Sequence, residues 1–541
     1  MLRITGGTVH DPANGTFGVV KDVCIADGRI VHDVQGGRSI DASGMVVFPG
    51  GVDIHTHVAG AALNFARGLT PENYRRAVPF VRTSERRAGL GGITPTTFAT
   101  GYLYAGMGWT TVNEAAVPIL SAKHTHEELR DTPIVDKSSL VLMANNEIVL
   151  DLLEAGEVER ARHVVAWLIW AAKAYGVKAV NPGGVVAWKF GKNANVLSDP
   201  VDGYSRVTPA TIVSSLAGII DDLRLPHPLH IHCNNLGLPG NVTTTLETMR
   251  VLEGHRAHLA HLQFHAYGGD DWGTMRSEAA TLAEYFNTHT TFTTDAGAIL
   301  FGDAVTITAD GPWQHLLYQL TGHKWGNVDV ENETGCGIVP YVYKGSHLVN
   351  AVQWAVGLEL LLLIDDPWRI FLTTDHPNGA GFWRYPELIR LLMDADHRRE
   401  CLNKLPEKAR KRIVLADLDR QYTLSEIAII TSAGPARALG LAQKGHLGVG
   451  ADADVAIYPQ NPEGGLLFGC PRYVIKGGEI AVEDGEIRPV ADGREFIVRP
   501  SFDEQIEEYL RPLFQKVYTI SFDNYPVELE RIARPDVQVC K

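Results

Sequence analysis

Cysteine is scarce and scattered. Six residues (Cys24, Cys233, Cys336, Cys401, Cys470 and Cys540) are spread over 541 positions, and none forms a CxxC pair. Iron–sulfur clusters, zinc ribbons and disulfide frameworks are therefore not expected. Long apolar runs are missing too. The longest, from Leu348 to Ile364, is interrupted by Asn350, Gln353 and Glu359, which suits a buried helix and not a membrane span. The start, Met1-Leu2-Arg3-Ile4-Thr5-Gly6-Gly7, lacks the apolar core of a secretory signal. Basic charge is in deficit: the formal net charge is −14. That disfavours nucleic-acid binding and leaves no basic patch for an anionic membrane. Repeats and low-complexity stretches are absent. What remains is a soluble globular composition, 45% hydrophobic and 21% charged, expected in the cytoplasm. The length calls for two or three domains.

The chain ends are β-like. Residues 1–50 alternate short apolar runs with turns (Arg3–Val9, Asp22–Ala26, Arg29–Val31, Met45–Phe48), and residues 441–490 do the same (Asp454–Tyr458, Tyr473–Lys476, Glu479–Val482). Each half alone is too small for a stable sheet. A single β-sandwich domain built from both ends is the economical reading. Residues 491–541 read as an accessory arm, with an amphipathic helix over Phe502–Val517 and an irregular tail.

Between the ends, strand-like and helical runs alternate, the mark of βα units. Eight strand candidates occur: Val46–His57, Ala105–Val112, Ser139–Ala144, Val177–Asn181, Leu229–Asn234, His258–His265, Thr290–Thr294 and Arg369–Asp375. Eight is the number that closes a (β/α)8 barrel, here placed over 51–440. Helical candidates include Glu147–Leu153, Glu157–Tyr175, Pro209–Asp222 and Glu278–Thr288. About 70 residues separate strands seven and eight, far more than a usual connection. An insertion over about 296–365, a lid or a partner-binding element, is expected there.

The most informative segment is Phe48-Pro49-Gly50-Gly51-Val52-Asp53-Ile54-His55-Thr56-His57. It reads as a strand that ends in two histidines. Residues i and i+2 of a strand share a face, so His55 and His57 can hold one metal ion at its end. Active sites of such barrels lie at the C-terminal ends of the strands. Other polar candidates end later strands: Lys178 on strand four, His230, His232 and Asn234 on strand five, His258, His261 and His265 on strand six, Asp375 and His376 on strand eight. A lysine inside an apolar strand is costly if charged, which favours its neutral amine.

The PG-x-x-D-x-H-x-H pattern resembles the first barrel strand of the metal-dependent amidohydrolase superfamily. Gly445-His446-Leu447-Gly448-Val449-Gly450-Ala451-Asp452-Ala453-Asp454-Val455 resembles that superfamily's return into its small β domain. The resemblance implies further assignments. Lys178 would carry a CO2-derived carbamate that bridges two metal ions. His232 matches the strand-five histidine of hydantoinases and dihydroorotases, with Asn234 where their glutamate stands and His230 as an alternative ligand or a supporting group. His261 is the best strand-six match, with His258 and His265 as alternatives. Asp375, in Thr373-Thr374-Asp375-His376-Pro377, matches the aspartate that binds metal and shuttles the proton. Imidazole and oxygen donors suit zinc, with other divalent metals open. Lys189 and Lys192 are weaker carbamate candidates.

Loop segments narrow the resemblance: YLYAGMGWTTVNE from Tyr102, VNPGGVVAW from Val180, HIHCNNLGLPG from His230, QFHAYGGDDWGT from Gln263, TTDAGA from Thr293, TADGPWQ from Thr308 and TTDHPNGAGFW from Thr373. Together they resemble the A-subunit family of formylmethanofuran dehydrogenases and bacterial formyltransferase/hydrolase complexes. That resemblance implies hydrolysis, or the reverse condensation, of an N-formyl amide on methanofuran or methylofuran, inside a multisubunit complex. It also implies an extended channel for the furan arm. Gly379–Trp383 are candidates to line it, and Arg82, Arg86, Arg87 and Arg384 are candidates to meet an anionic tail. The rival readings are a cyclic amidohydrolase and a noncatalytic scaffold subunit.

Overall fold

The structure is a computed structural model that describes residues 1–328, 336–460 and 464–540. Eight parallel strands form its centre: β1 (Gly51–Thr56), β2 (Trp109–Val117), β3 (Asp136–Leu142), β4 (Gly176–Val180), β5 (Leu229–His232), β6 (Ala257–Leu259), β7 (Phe292–Asp295) and β8 (Ile370–Phe371). They pair in chain order from β1 to β8. A parallel bridge between Thr56 and His376 brings β1 beside the segment after β8, and the His57 N–H donates to the His376 carbonyl at 2.8 Å. The sheet is thus a nearly closed barrel. Its strands are buried nearly throughout because helices cover their outer faces.

Strand two departs from the sequence reading. Ala105–Met107 close a helix, Thr97–Met107, and the strand begins at Trp109. Gly108, at φ +91, is that helix's left-handed cap, a conformation glycine adopts without steric cost. Gly51 opens β1 directly under the Trp109 ring, where a Cβ would lie 2.6 Å from the indole. The run from His258 is also shorter as strand than expected. It leaves the sheet after Leu259 and coils into a 3-10 turn, Leu262–His265.

Two sheets at the chain termini share one core. A four-stranded sheet comes wholly from the N-terminal end: Leu2–Thr5, Val23–Ala26, Arg29–Val31 and Arg38–Asp41. A seven-stranded sheet mixes both ends, with Met45–Pro49 paired antiparallel to Val455–Pro459. Ile4, Ile25, Ile40, Val47, Val455 and Ile475 pack together between them.

The C-terminal segment is more ordered than its sequence suggests. Glu495–Arg499 adds a parallel strand to the start of β3, and Pro535–Val539 pairs with it in turn. A helix, Ile506–Val517, packs on helix Val158–Ala171 through Phe514 and Trp167. Buried Asp136, at the start of β3, joins the parts. Its carboxylate meets Lys444, Lys476 and Arg494. Burial opposes the Asp136 charge, but the two lysines outweigh it and hold the carboxyl well below its usual range.

The insertion between β7 and β8 is a small antiparallel sheet of Gly302–Thr308, Cys336–Tyr343 and Gly326–Val328, plus helix Gly311–Thr321. Helix Leu348–Leu363 then packs on the barrel, buried as expected. Among the described residues no helix is long and apolar enough to cross a membrane.

Candidate metal centre

Two clusters of donor atoms meet at the C-terminal mouth of the barrel. In the first, the His55 Nε2 lies 3.1 Å from Asp375 Oδ1, and the His57 Nε2 lies 3.1 Å from the same oxygen. The Lys178 Nζ is 2.9 Å from His55 Nε2. The second cluster is His232, His261 and His265. All six histidine and aspartate side chains are buried. Asp375 and His261 both have positive φ, +48 and +33, as the backbone leaves strands eight and six.

The floor beneath these donors sets their tautomers. The His227 Nδ1–H donates to the Ala438 carbonyl at 2.8 Å, so His227 Nε2 is left as an acceptor. His230 Nδ1–H, 3.1 Å away, donates to it, which leaves the His230 Nε2 lone pair facing His55 Nδ1 at 3.1 Å. Asp295 Oδ2 lies 2.8 Å from the same His55 nitrogen and 3.1 Å from His258 Nε2. His55 Nδ1 therefore carries the proton and its Nε2 lone pair points into the mouth. His57 is held likewise: its Nδ1 is 3.0 Å from Glu114 Oε1, while Glu114 Oε2 accepts from the Val58 and Ala59 N–H groups.

These constraints fit a bound cation. Two imidazole nitrogens, a carboxylate oxygen and the Lys178 amine converge, each about 3 Å from its neighbour. With the protein alone, the demand for positive charge falls on His57: burial opposes its protonation, yet Asp375 and Glu114 push its pKa up to about 9. In the second cluster His261 Nδ1 and both nitrogens of His265 are buried without a hydrogen-bond partner, and His232 Nε2 faces Asp310 Oδ2 at 3.5 Å. Such groups call for an explanation, and a metal ion is one. Burial also pushes the Lys178 ammonium down to about 8, against the pull of Asp375, Asp295 and Glu114.

A cavity of about 570 Å³ opens over both clusters. His57, Lys178, His232, His261 and Asp375 line its inner end. The insertion walls the outer part with Trp313, Leu317, Tyr341 and Tyr343, helped by Trp272 from the β6 side. The lining joins the polar donors to aliphatic side chains and to five aromatic ones, Phe264, Trp272, Trp313, Tyr341 and Tyr343.

Comparison with known proteins places this architecture. The profile of the Amidohydrolase family matches residues 38–480. The chain belongs to the amidohydrolase family. Protein FwdA of Methanocaldococcus jannaschii is 44% identical over 97% of this chain and 96% of its own length. The A-subunit of the formyltransferase/hydrolase complex Fhc of Methylorubrum extorquens is 38% identical over the same shares. Among solved structures, the formyltransferase/hydrolase complex FhcABCD of Methylorubrum extorquens, in complex with methylofuran, holds a chain that matches with a TM-score of 0.94. It is 36% identical, and all of both chains is covered. A D-aminoacylase matches at a TM-score of 0.53 and 14% identity, a likeness of fold alone.

Set on this amidohydrolase frame, the residues singled out in the sequence separate into groups. His55, His57, Lys178, His232, His261 and Asp375 come together at the mouth. His230 and His258 lie one layer deeper, in the floor network. Asn234 turns away from both clusters: its amide donates to Asn181 Oδ1 and to the Pro182 and Ala194 carbonyls, clamping the loop after β4. His376 packs its ring edge-on against Phe382 and near Trp383. Lys189 pairs with Glu147 and Lys192 with Asp202, away from the clusters. Arg82, Arg86 and Arg87 lie beside a separate surface hollow, and Arg384 pairs with Glu387.

Sequence reasoning missed the carboxylates behind the histidines. Asp53, Glu114 and Asp295 lie inside the quoted segments PG-x-x-D-x-H-x-H, YLYAGMGWTTVNE and TTDAGA, but none is given a role there. Asp53 accepts hydroxyl hydrogen bonds from Tyr104 and Tyr385 at 2.7 and 2.6 Å and holds the base of β1. The available signal was positional. Glu114 and Asp295, each a carboxylate in an apolar run, fall toward the C-terminal ends of their strands.

Proposed function

We propose that this amidohydrolase hydrolyses, or condenses in reverse, the N-formyl amide of formylmethanofuran or formylmethylofuran. The products are formate and the free furan amine, and the chain acts as the A-subunit of a multisubunit one-carbon complex. The observation that carries the reading is the end-to-end match to a chain solved in the FhcABCD complex with methylofuran. The cavity supports it: a formyl carbonyl is small enough for the polar inner end, and a long aryl-furan arm suits the aromatic and aliphatic side chains beyond it. The dihydroorotases found are similar over at most 17% of this chain, which disfavours the cyclic-amide reading.

In this reading His55, His57 and Asp375 would hold one divalent cation and His232 and His261 a second. Lys178, as a carbamate, would supply an anionic donor to the pair. Its neutral amine adds to CO2 and loses one proton, and burial supplies the neutral amine. Zinc is the best match to the imidazole-rich donor set. Bound there, the metal pair supplies Lewis acidity and acidifies a water at neutral pH. The protein's own groups do the rest. Glu114 and Asp295 fix His57 and His55 with their Nε2 lone pairs inward. Asp375 accepts the proton of the attacking water and returns it to the leaving amine nitrogen. One water is consumed, the C–N bond breaks, and formate leaves. The aromatic and aliphatic lining holds the amine arm and keeps bulk water from the donors.

The test is purification from the native cell, with identification of copurifying chains and bound metal. Formate release should then be assayed on a formylated furan amine, on hydantoin and on dihydroorotate. Turnover of the formyl amide with copurifying partner subunits is expected. Turnover of a free cyclic amide by the isolated chain would overturn the reading. Full complex assembly without metal or turnover would instead favour a scaffold.

A further inference from the structure

We propose that His265 is a third imidazole ligand of the second cation, beside His232 and His261. The inference rests on the dinuclear reading above and goes beyond its ligand set. One nitrogen from each of the three histidines lies within 4.8 Å of the other two. The rings form a tight triangle, with centroids 4.8 Å apart for His232 and His261, 5.3 Å for His232 and His265, and 5.4 Å for His261 and His265.

Local backbone geometry produces this triangle. His261 and His265 stand four residues apart, across the 3-10 turn Leu262–His265. The turn sets their rings within 21° of parallel. The left-handed backbone of His261, at φ +33 just before the turn, brings its side chain beside that of His265 at the turn's end. The turn is pinned from both sides. Thr245 Oγ1 donates to the His265 carbonyl at 2.9 Å, and Asn241 Nδ2 donates to the Phe264 carbonyl at 2.8 Å. The Gly237 N–H donates to that same carbonyl, and the Phe264 N–H closes the turn onto the His261 carbonyl. His265 is thus held in place while its ring makes no hydrogen bond.

The ordinary role for a buried histidine is a satisfied one, with at least one ring nitrogen paired. His227, His230 and His258 all follow that pattern. His265 does not: both its nitrogens are buried and unpartnered. Three imidazoles and a Lys178 carbamate would make four protein donors, and the attacking water a fifth, a number catalytic zinc can reach. The two cations would then differ in kind. The first has two imidazoles and the Asp375 carboxylate, and the second has three imidazoles.

The experiment measures zinc content, resistance to a chelator and the X-ray absorption fine structure of the zinc in the full chain, with its partner subunits where they copurify. His265→Ala, His265→Gln and His232→Ala are compared with the parent. The expected parent holds two zinc ions with about 2.5 imidazoles per zinc, where the two-histidine arrangement gives about 2. His265→Ala should lose one ion to a chelator concentration at least tenfold lower than the parent tolerates. A parent with about 2 imidazoles per zinc overturns the inference. So does a His265 variant that keeps both ions as firmly as the parent while His232→Ala loses one, an outcome that leaves the dinuclear reading standing. Fewer than two ions in the parent would sink both. If neither His265 variant folds, the spectrum of the parent decides.

Discussion

Glu114 offers a sharp test of how the floor of the site works. In Glu114→Gln one of two oxygens becomes an NH2 group. Oε2 accepts from the Val58 and Ala59 N–H groups at 2.6 and 3.0 Å. Oε1 faces His57 Nδ1 at 3.0 Å and the Ala116 N–H at 3.3 Å. The glutamine keeps its oxygen on the shorter pair, since an NH2 there would face two donors. Its NH2 then faces His57 Nδ1 and demands a lone pair from it. That reverses the imidazole: the proton moves to Nε2, the nitrogen aimed at Asp375. His57 can ligate only after its tautomer is restored against this hydrogen bond. Loss of such supporting contacts typically costs 10–100-fold in metal affinity, or about 1.4–2.7 kcal/mol. Competition with a chromophoric zinc chelator, beside formate release on the formylated furan amine, reads both consequences. Zinc affinity and rate within twofold of the parent would refute the argument that Glu114 sets the His57 tautomer.

Three other substitutions probe separate parts of the molecule. Asp375→Asn removes the proton shuttle but leaves His55 and His57 in place. Formate release should fall by at least ~10²–10⁴-fold with some zinc retained, and near-parental turnover with metal bound would exclude Asp375 as the base. Lys178→Ala should be inactive and regain part of its rate with a small carboxylic acid. The parent, equilibrated with CO2, should show the mass of one added carboxylate, and an unmodified, ion-paired Lys178 would exclude the carbamate. Glu359 tests the fold. Burial pushes its carboxyl up to about 7, although Ser277 and the Val414 and Leu415 N–H groups donate to it. The folded protein therefore keeps a proton that the unfolded chain releases near pH 4.5. Stability from this group falls as pH rises from about 4.5 to about 7, by on the order of 3 kcal/mol, and then levels off. Glu359→Gln should thus gain on the parent at pH 8 relative to pH 5 in urea denaturation, and an equal difference at both values would refute the assignment.

The barrel was legible because strand-like runs alternate with helical ones along the chain and number eight. Its edges were less so. Tyr102–Met107 could be helix or strand by composition, since short apolar runs carry no decisive period. The helix prevails because Gly108 caps it and Trp109 needs the open space over Gly51. The 3-10 turn at His261–His265 escaped for a similar reason: an alternation-based reading carries the strand straight on. The tail was read as irregular because Pro535–Val539 becomes a strand by pairing with Glu495–Arg499, a partner about 40 residues away. At the mouth, positions that end strands stood out, while the depth of each histidine did not. His230 and His232 share a face of β5, and the barrel alone decides that the first lies beneath His55 and the second opens on the cavity.

That division into depths explains why so many histidines crowd one barrel. A histidine with both nitrogens committed to protein groups cannot ligate, and His55 and His57 each keep one nitrogen for the mouth because an outer partner fixes the opposite one. For His57 the partner is one carboxylate, Glu114. For His55 two branches meet at Nδ1: one through Asp295 to His258 and Thr293, the other through His230 and His227 to the Ala438 carbonyl, an acceptor whose state cannot change. Asp295 receives a further hydrogen bond from Thr373 Oγ1 at 2.6 Å, two residues before Asp375. The floor and the shuttle aspartate are therefore tied to the same short segment after β8. Asp375 and His261 hold left-handed backbone conformations, each costing on the order of 1–3 kcal/mol and each sustained by packing. Gly297 presses on His261, where a Cβ would come within 2.3 Å of its own. A side chain at Gly297 would displace His261 without touching any donor atom. The tightness of the site thus depends on residues that hold no metal and meet no substrate.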